Sequence, residues 1–160
     1  MRNVIVLLMV LAAAWWVVMG PGSSNPDVIE DPVYLEHRVD FRVGSDIINM
    51  VLFVKAVDDE DCNERARRSW EKSLSGCENC ILRTYECKDA IPGFYWKTFE
   101  HLPLDITYLS AERGNRYERS GRIVFWGLNQ ADSDRVCDFM TKNVKKTYSG
   151  TLTCIRPVSD

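Results

Sequence analysis

Sixteen consecutive apolar residues, Val4 to Met19, stand in front of the remainder of a 160-residue chain that holds all six of its cysteines. That arrangement constrains the protein more than any other feature. It sends the folded part out of the cytoplasm and into a compartment where thiols pair. As a helix the run covers about 24 Å, short of the ~30 Å hydrocarbon core of a bilayer. Arg2 and the Trp15-Trp16 pair, suited to an interface, extend its reach. Residues 1–22 are therefore expected to be an N-terminal hydrophobic helix that anchors the chain in a membrane, with 23–32 as a linker. A cleaved secretory signal is the alternative. Ala12-Ala13-Ala14 would leave too short a leader, and Gly20-Pro21-Gly22 is a poorer but better-placed cleavage site. Either way Arg2 precedes the run and Asp27, Glu30, Asp31 and Glu36 follow it, so the C-terminal part is exported.

The exported part is long enough for a core of its own. Apolar content of 46% with five tryptophans argues against disorder. A net charge of −3 with both signs interspersed gives no reason to expect a nucleic-acid partner. No asparagine lies in a glycosylation sequon, which leans toward the periplasmic side of a bacterial inner membrane.

Residues 33–160 are expected to form one α+β domain built from an internal repeat. From Val33 to Val43 the odd positions are Val33, Leu35, His37, Val39, Phe41 and Val43, and the even ones are polar apart from Tyr34, a strand with period two. Gly44-Ser45-Asp46 turns the chain into a more apolar strand, Ile47 to Val57. Asp58-Asp59-Glu60-Asp61 opens a helix reaching about Ser75, and Cys80 to Cys87 is the next strand. The second half repeats the plan. Strands run from Leu104 to Glu112 and Tyr117 to Leu128, a helix capped at Asp132-Ser133-Asp134 runs to about Tyr148, and Thr151 to Pro157 closes the chain. These are two ββαβ units, 33–87 and 104–160, joined by a connector at 88–103. Strand, helix and strand in sequence should bring the flanking strands parallel. The expected product is one mixed sheet of about six strands with two helices on one face, ferredoxin-like in the broad sense. The first helix should cover the sheet with Cys62, Ala66, Trp70 and Leu74, the second with Cys137, Met140, Val144 and Tyr148. Arg65, Arg67, Arg68 and Lys72 then form the solvated face of the first helix.

Level-matching pairs the cysteines. In such a crossover the helix and the next strand run antiparallel, so residues equally far from the joining loop lie side by side. Cys137 sits about 16 Å above its loop at the helical rise, and Cys154 about 13 Å at the strand rise. By the same count Cys62 is at about 20 Å and Cys87 at about 23 Å, whereas Cys80 is too low. The expected bridges are Cys137–Cys154 and Cys62–Cys87, which leaves Cys77–Cys80.

Cys77-Glu78-Asn79-Cys80 is the one motif with chemistry attached. It follows a helix, so the dipole that activates thioredoxin-like thiols at a helix N-terminus is missing. A structural turn disulfide is the favoured reading, ahead of a redox pair. A metal site would need Cys87 and His101 as further ligands, and no metal or cofactor is expected. His37 falls among the apolar positions of its strand and reads as a core histidine. The acidic runs at 58–61 and 132–134 open helices, where capping explains them better than calcium. No serine elbow, phosphate loop or paired-histidine motif occurs, so no catalytic residue is assigned and an enzyme is the lesser expectation.

The connector packs Phe94, Tyr95, Trp96 and Phe99 with His101 between Pro92 and Pro103. Aromatic density outside the repeat suggests a binding surface; the plainer alternative is that these side chains complete the core over the sheet's open face. Together these features favour a non-catalytic, membrane-tethered extracytoplasmic domain that binds another envelope protein or joins an envelope complex. A secreted binding, inhibitor or immunity-type protein is the alternative, and a thiol oxidoreductase using Cys77 and Cys80 comes third.

Overall fold

The computed structural model describes residues 29–43, 45–69, 71, 77–112, 120–144 and 150–157. The anchor or signal segment, and the expected helical positions Trp70, Leu74 and Tyr148, lie outside the described residues. Among those described, no helix is long and apolar enough to cross a membrane.

Six strands form one sheet: β1 (Val33–Val43), β2 (Asp46–Ala56), β3 (Cys80–Lys88), β4 (Thr107–Glu112), β5 (Gly121–Trp126) and β6 (Thr151–Ile155). Their spatial order is β3-β1-β2-β5-β4-β6, which reads alike from either edge once the halves are exchanged. Three helices accompany them: α1 (Asp59–Ser69), α2 (Gly93–Phe99) and α3 (Gln130–Phe139), the last continuing into a π-helical turn at Met140–Val144.

Every neighbouring pair of strands is antiparallel, which corrects the expected mixed sheet. The crossover through α1 does bring β2 and β3 into the same direction, but β1 lies between them. The crossover through α3 likewise sets β5 and β6 on either side of β4. Each hairpin's first strand fills the slot that the crossover leaves, so no parallel ladder forms.

α1 and α3 cover one face, as expected. Cys62, Ala66, Val136 and Met140 meet Leu35, Val39, Phe41, Leu52, Leu109 and Ile123 in one buried cluster. The third helix was not expected. α2 lies over the opposite face, where Tyr95 and Phe99 pack on Tyr34, Val51, Phe53, Tyr108 and Val124. Both faces of the sheet therefore carry helices, and the even positions at the start of β1 are not solvated. Tyr34 and Glu36 are buried there.

Local chemistry sets the helix starts. The Asp58 carboxylate accepts from the Asp61 N–H at 2.8 Å and caps α1. For α3 the cap is Asn129, whose side chain accepts from the Asp132 N–H at 2.9 Å, so the helix starts earlier than Asp132. Arg65 is also displaced from its expected place. It is buried on α1 against Asp61, with Nε to Oδ1 at 3.0 Å, while Arg67 stays exposed.

Candidate functional site

Gly93–Phe99 is helical because Pro92 supplies the preset turn before it, its carbonyl accepting from the N–H groups of Tyr95 and Trp96. The helix ends in a six-to-one closure in which the Leu102 N–H donates to Lys97 O at 3.1 Å. His101 takes the left-handed conformation, φ 57°, that such an ending needs and that glycine usually fills.

Two turns divide the aromatics. Tyr95 lies 4.8 Å from Phe53 between ring centroids, and Phe99 meets Tyr34 edge-on at 6.0 Å. Thr98 is fully buried. These three positions face the sheet. Phe94 and Trp96 flank the helix on either side and remain 43% and 45% exposed. Phe94 lies tilted on Trp126 at 5.4 Å, and Trp96 stacks on Phe99 at 6.1 Å. Trp96 Nε1 donates to Glu100 Oε1 at 3.1 Å, which holds the indole in place on the surface.

Beneath the C-terminal end of α2 lies Arg122, the largest fully buried side chain among the described residues. Nothing in the sequence singled it out. It stands at the head of β5, with Nε donating to Thr98 O at 2.8 Å and Nη1 to Gly121 O at 3.0 Å. Nη2 donates to Glu112 Oε1 at 2.6 Å, and His101 Nε2 lies 3.0 Å from that same oxygen. Burial pushes the Glu112 carboxyl up, but the Arg122 guanidinium and His101 outweigh it and hold it below the usual carboxylate range. A cavity of about 350 Å³ opens here, walled by Tyr34, Trp96, Phe99 and Arg122, with Glu30 and Lys55 at hand. Ile29 and Pro32 line it as well, so the chain enters the domain beside Trp96.

A second charged group ties the other end of this face. Glu36 pairs with Arg38 and accepts from Lys88 Nζ at 2.8 Å. Burial would raise its carboxyl, yet the two cations keep it below the usual range. Arg38 in turn lies 5.9 Å from the centre of the Tyr95 ring.

No family of proteins, no curated protein and no solved structure matches this chain. What the site can do follows from its own geometry. It brings Trp96, Phe99 and His101 together around Arg122 and Glu112, and leaves Phe94 on the far side of α2 over Trp126.

The cysteines form three bridges, Cys62–Cys87, Cys77–Cys80 and Cys137–Cys154, with Cα separations of 6.1, 5.5 and 5.4 Å. None is free. Cys77–Cys80 closes the turn leading into β3, with the Cys80 N–H donating to Cys77 O at 3.3 Å. Among the described residues no group of three or more histidine, cysteine or acidic side chains could hold a metal ion.

His37 is buried on the face covered by α1, Nδ1 lying 3.2 Å from Ser69 Oγ and the ring edge-on to Tyr85 at 6.3 Å. Its Nε2 has no hydrogen-bond partner among the described residues. Burial pushes its pKa down to about 4, so at neutral pH the ring carries no charge.

Proposed function

We propose that the chain is a non-catalytic extracytoplasmic domain, tethered by residues 1–22 and facing the periplasm. It binds another envelope protein through the aromatic surface of α2. The observation that carries this is the exposure of Phe94 and Trp96 on a helix whose other two aromatics, Tyr95 and Phe99, pack on the sheet. Packing alone does not require two large aromatics to stay half in water. Rigid aromatics beside a cavity are what a partner's side chains exploit as anchors. Three disulfides support an oxidising compartment. We also read the two ββαβ units as a tandem ferredoxin-like arrangement in the broad sense, a reading supported by the matching strand order of the halves. Fold of that kind does not dictate function.

Photo-crosslinking in the native envelope tests this. A benzophenone side chain replaces Phe94 or Trp96 in the full chain, with the exposed Arg135 on α3 as the control site. A discrete adduct to another envelope protein from the α2 positions, absent at Arg135, is the expected result. No adduct at either aromatic position overturns the reading. An adduct formed by a chain lacking its leader transfers the function to the secreted alternative.

A further inference from the structure

We infer that β3 is an assembly edge whose occupant is the β3 strand of a second copy of this chain, paired antiparallel about a two-fold axis at Thr84. This surface lies at the sheet's rim, apart from α2, and does not depend on the function proposed above.

β3 is a nine-residue strand that, among the described residues, is laddered on one side only, to β1. An edge strand of that length presents a row of unpaired backbone groups about 30 Å long. The other edge, β6, has only five residues. Natural edges are usually blunted by proline, brevity, covering elements or charge. The charges of β3, Arg83, Glu86 and Lys88, are mixed in sign and exclude a second copy only in registers that oppose like charges. β3 contains no proline, and Ile81, Thr84 and Tyr85 are exposed along it. A groove runs beside it, bounded by α1 and lined by Asn63, Arg67, Arg83 and Tyr85.

The side chains select both the occupant and the register. Across a two-fold axis residues i and j face each other when their numbers sum to a constant, and facing residues share a side of the sheet. An axis at Arg83 would oppose Arg83 to itself, and one at Glu86 would oppose two carboxylates. An axis at Thr84, the midpoint of Cys80–Lys88, opposes Thr84 to Thr84 and sets Arg83 over Tyr85 twice. Glu86 then faces Leu82, and Lys88 faces Cys80, so no like charges meet. All nine residues of the strand are used. The helices leave room for it. α1 is centred over β1, and two β1 strands would lie three strand spacings, about 14 Å, apart. Packed helices need only 8–10 Å. The remaining gap is the groove, floored by the paired β3 strands and filled by Arg67, Arg83 and Tyr85.

Two variants of the full chain, in detergent micelles, test the register and the occupant. Thr84→Cys places two thiols opposite each other at disulfide distance, whereas Glu86→Cys places them four residues apart, about 13 Å. Mild oxidation should give a covalent dimer for Thr84→Cys and none for Glu86→Cys. Sedimentation should show a wild-type dimer, and Thr84→Lys should raise its dissociation constant at least about tenfold by opposing two ammonium groups. A monomeric wild type, equal crosslinking at both positions, or a Thr84→Lys dimer as tight as wild type overturns the proposal. A dimer lost in Trp96→Ala but kept in Thr84→Lys overturns it too, by placing the contact on α2.

Discussion

The guanidinium carbon of Arg122 lies 4.4 Å from the centre of the Phe99 ring. One buried cation therefore touches α2 twice, through the Phe99 ring and the Thr98 carbonyl, and ties it to Glu112 at the end of β4. The helix has only seven residues, too short to hold itself together in water. Arg122 is what fixes its C-terminal turn to the sheet.

Removing that cation should be costly. Arg122→Met leaves Thr98 O without its donor and Glu112 without its main partner, and should destabilise the fold by about 3 kcal/mol. Arg122→Lys should recover little, since a lysine cannot reproduce three differently aimed N–H bonds. Denaturant midpoints of the three proteins check this. A lysine variant as stable as wild type would show that charge alone, and not the fork, matters.

Gly127 follows β5 at φ +82°, and a Cβ there would meet the Ile47 carbonyl oxygen at 2.9 Å. The backbone of β2 cannot retreat without breaking its ladder with β1 and β5. Gly127→Ala thus combines left-handed strain with a backbone clash, and should cost on the order of 2 kcal/mol. Thermal unfolding of the variant is the measurement, and an unchanged midpoint would refute the argument.

The three bridges should differ in worth. Their sequence separations are 25, 17 and 3 residues for Cys62–Cys87, Cys137–Cys154 and Cys77–Cys80. Loop closure then assigns them about 3.5, about 3 and under about 2 kcal/mol in that order. Paired serine substitutions should follow the same ranking in denaturant melts. The Cys77→Ser/Cys80→Ser protein should remain folded, which makes it the control against which any activity of that pair is measured.

The sequence was most legible where a pattern had only one geometric solution. The odd residues of β1 and the cysteine levels on α1 and α3 are of that kind, because strand and helix rises are fixed. The even residues of β1 were misleading. A polar residue at every second position reads as half in water, yet Glu36 is buried, and Lys88 with the half-exposed Arg38 supplies the charge that allows it. α2 itself spans two turns between prolines, too few for a helical period to emerge. Strand direction was invisible for another reason. Whether β1 inserts between β2 and β3 depends on pairing across the sheet, which no local spacing encodes. Arg122 carried no signal at all, since one arginine beginning a strand looks like any surface residue.

His37 gives the fold a pH dependence whose sign is fixed by its burial. Its folded pKa is about 4, against 6.5 for an exposed histidine. Between those values the unfolded chain takes up a proton that the folded chain refuses, so stability falls as pH drops from about 6.5 to about 4. The full loss is on the order of 3 kcal/mol, from 1.36 kcal/mol for each pH unit. Glu36 and Glu112 work in the same direction only at lower pH, because their folded values lie below the ordinary carboxylate range. His37→Leu removes the titrating group and the unpartnered Nε2 while keeping an apolar side chain against Leu52 and Tyr85. The difference in unfolding free energy between the two proteins should be flat above pH 7. It should grow in favour of the leucine variant down to about pH 4 and level off below it. Urea titrations at pH 8, 6, 5 and 4 measure that difference. Parallel curves for both proteins would mean that the folded state accepts the proton at His37, and the burial argument would fail.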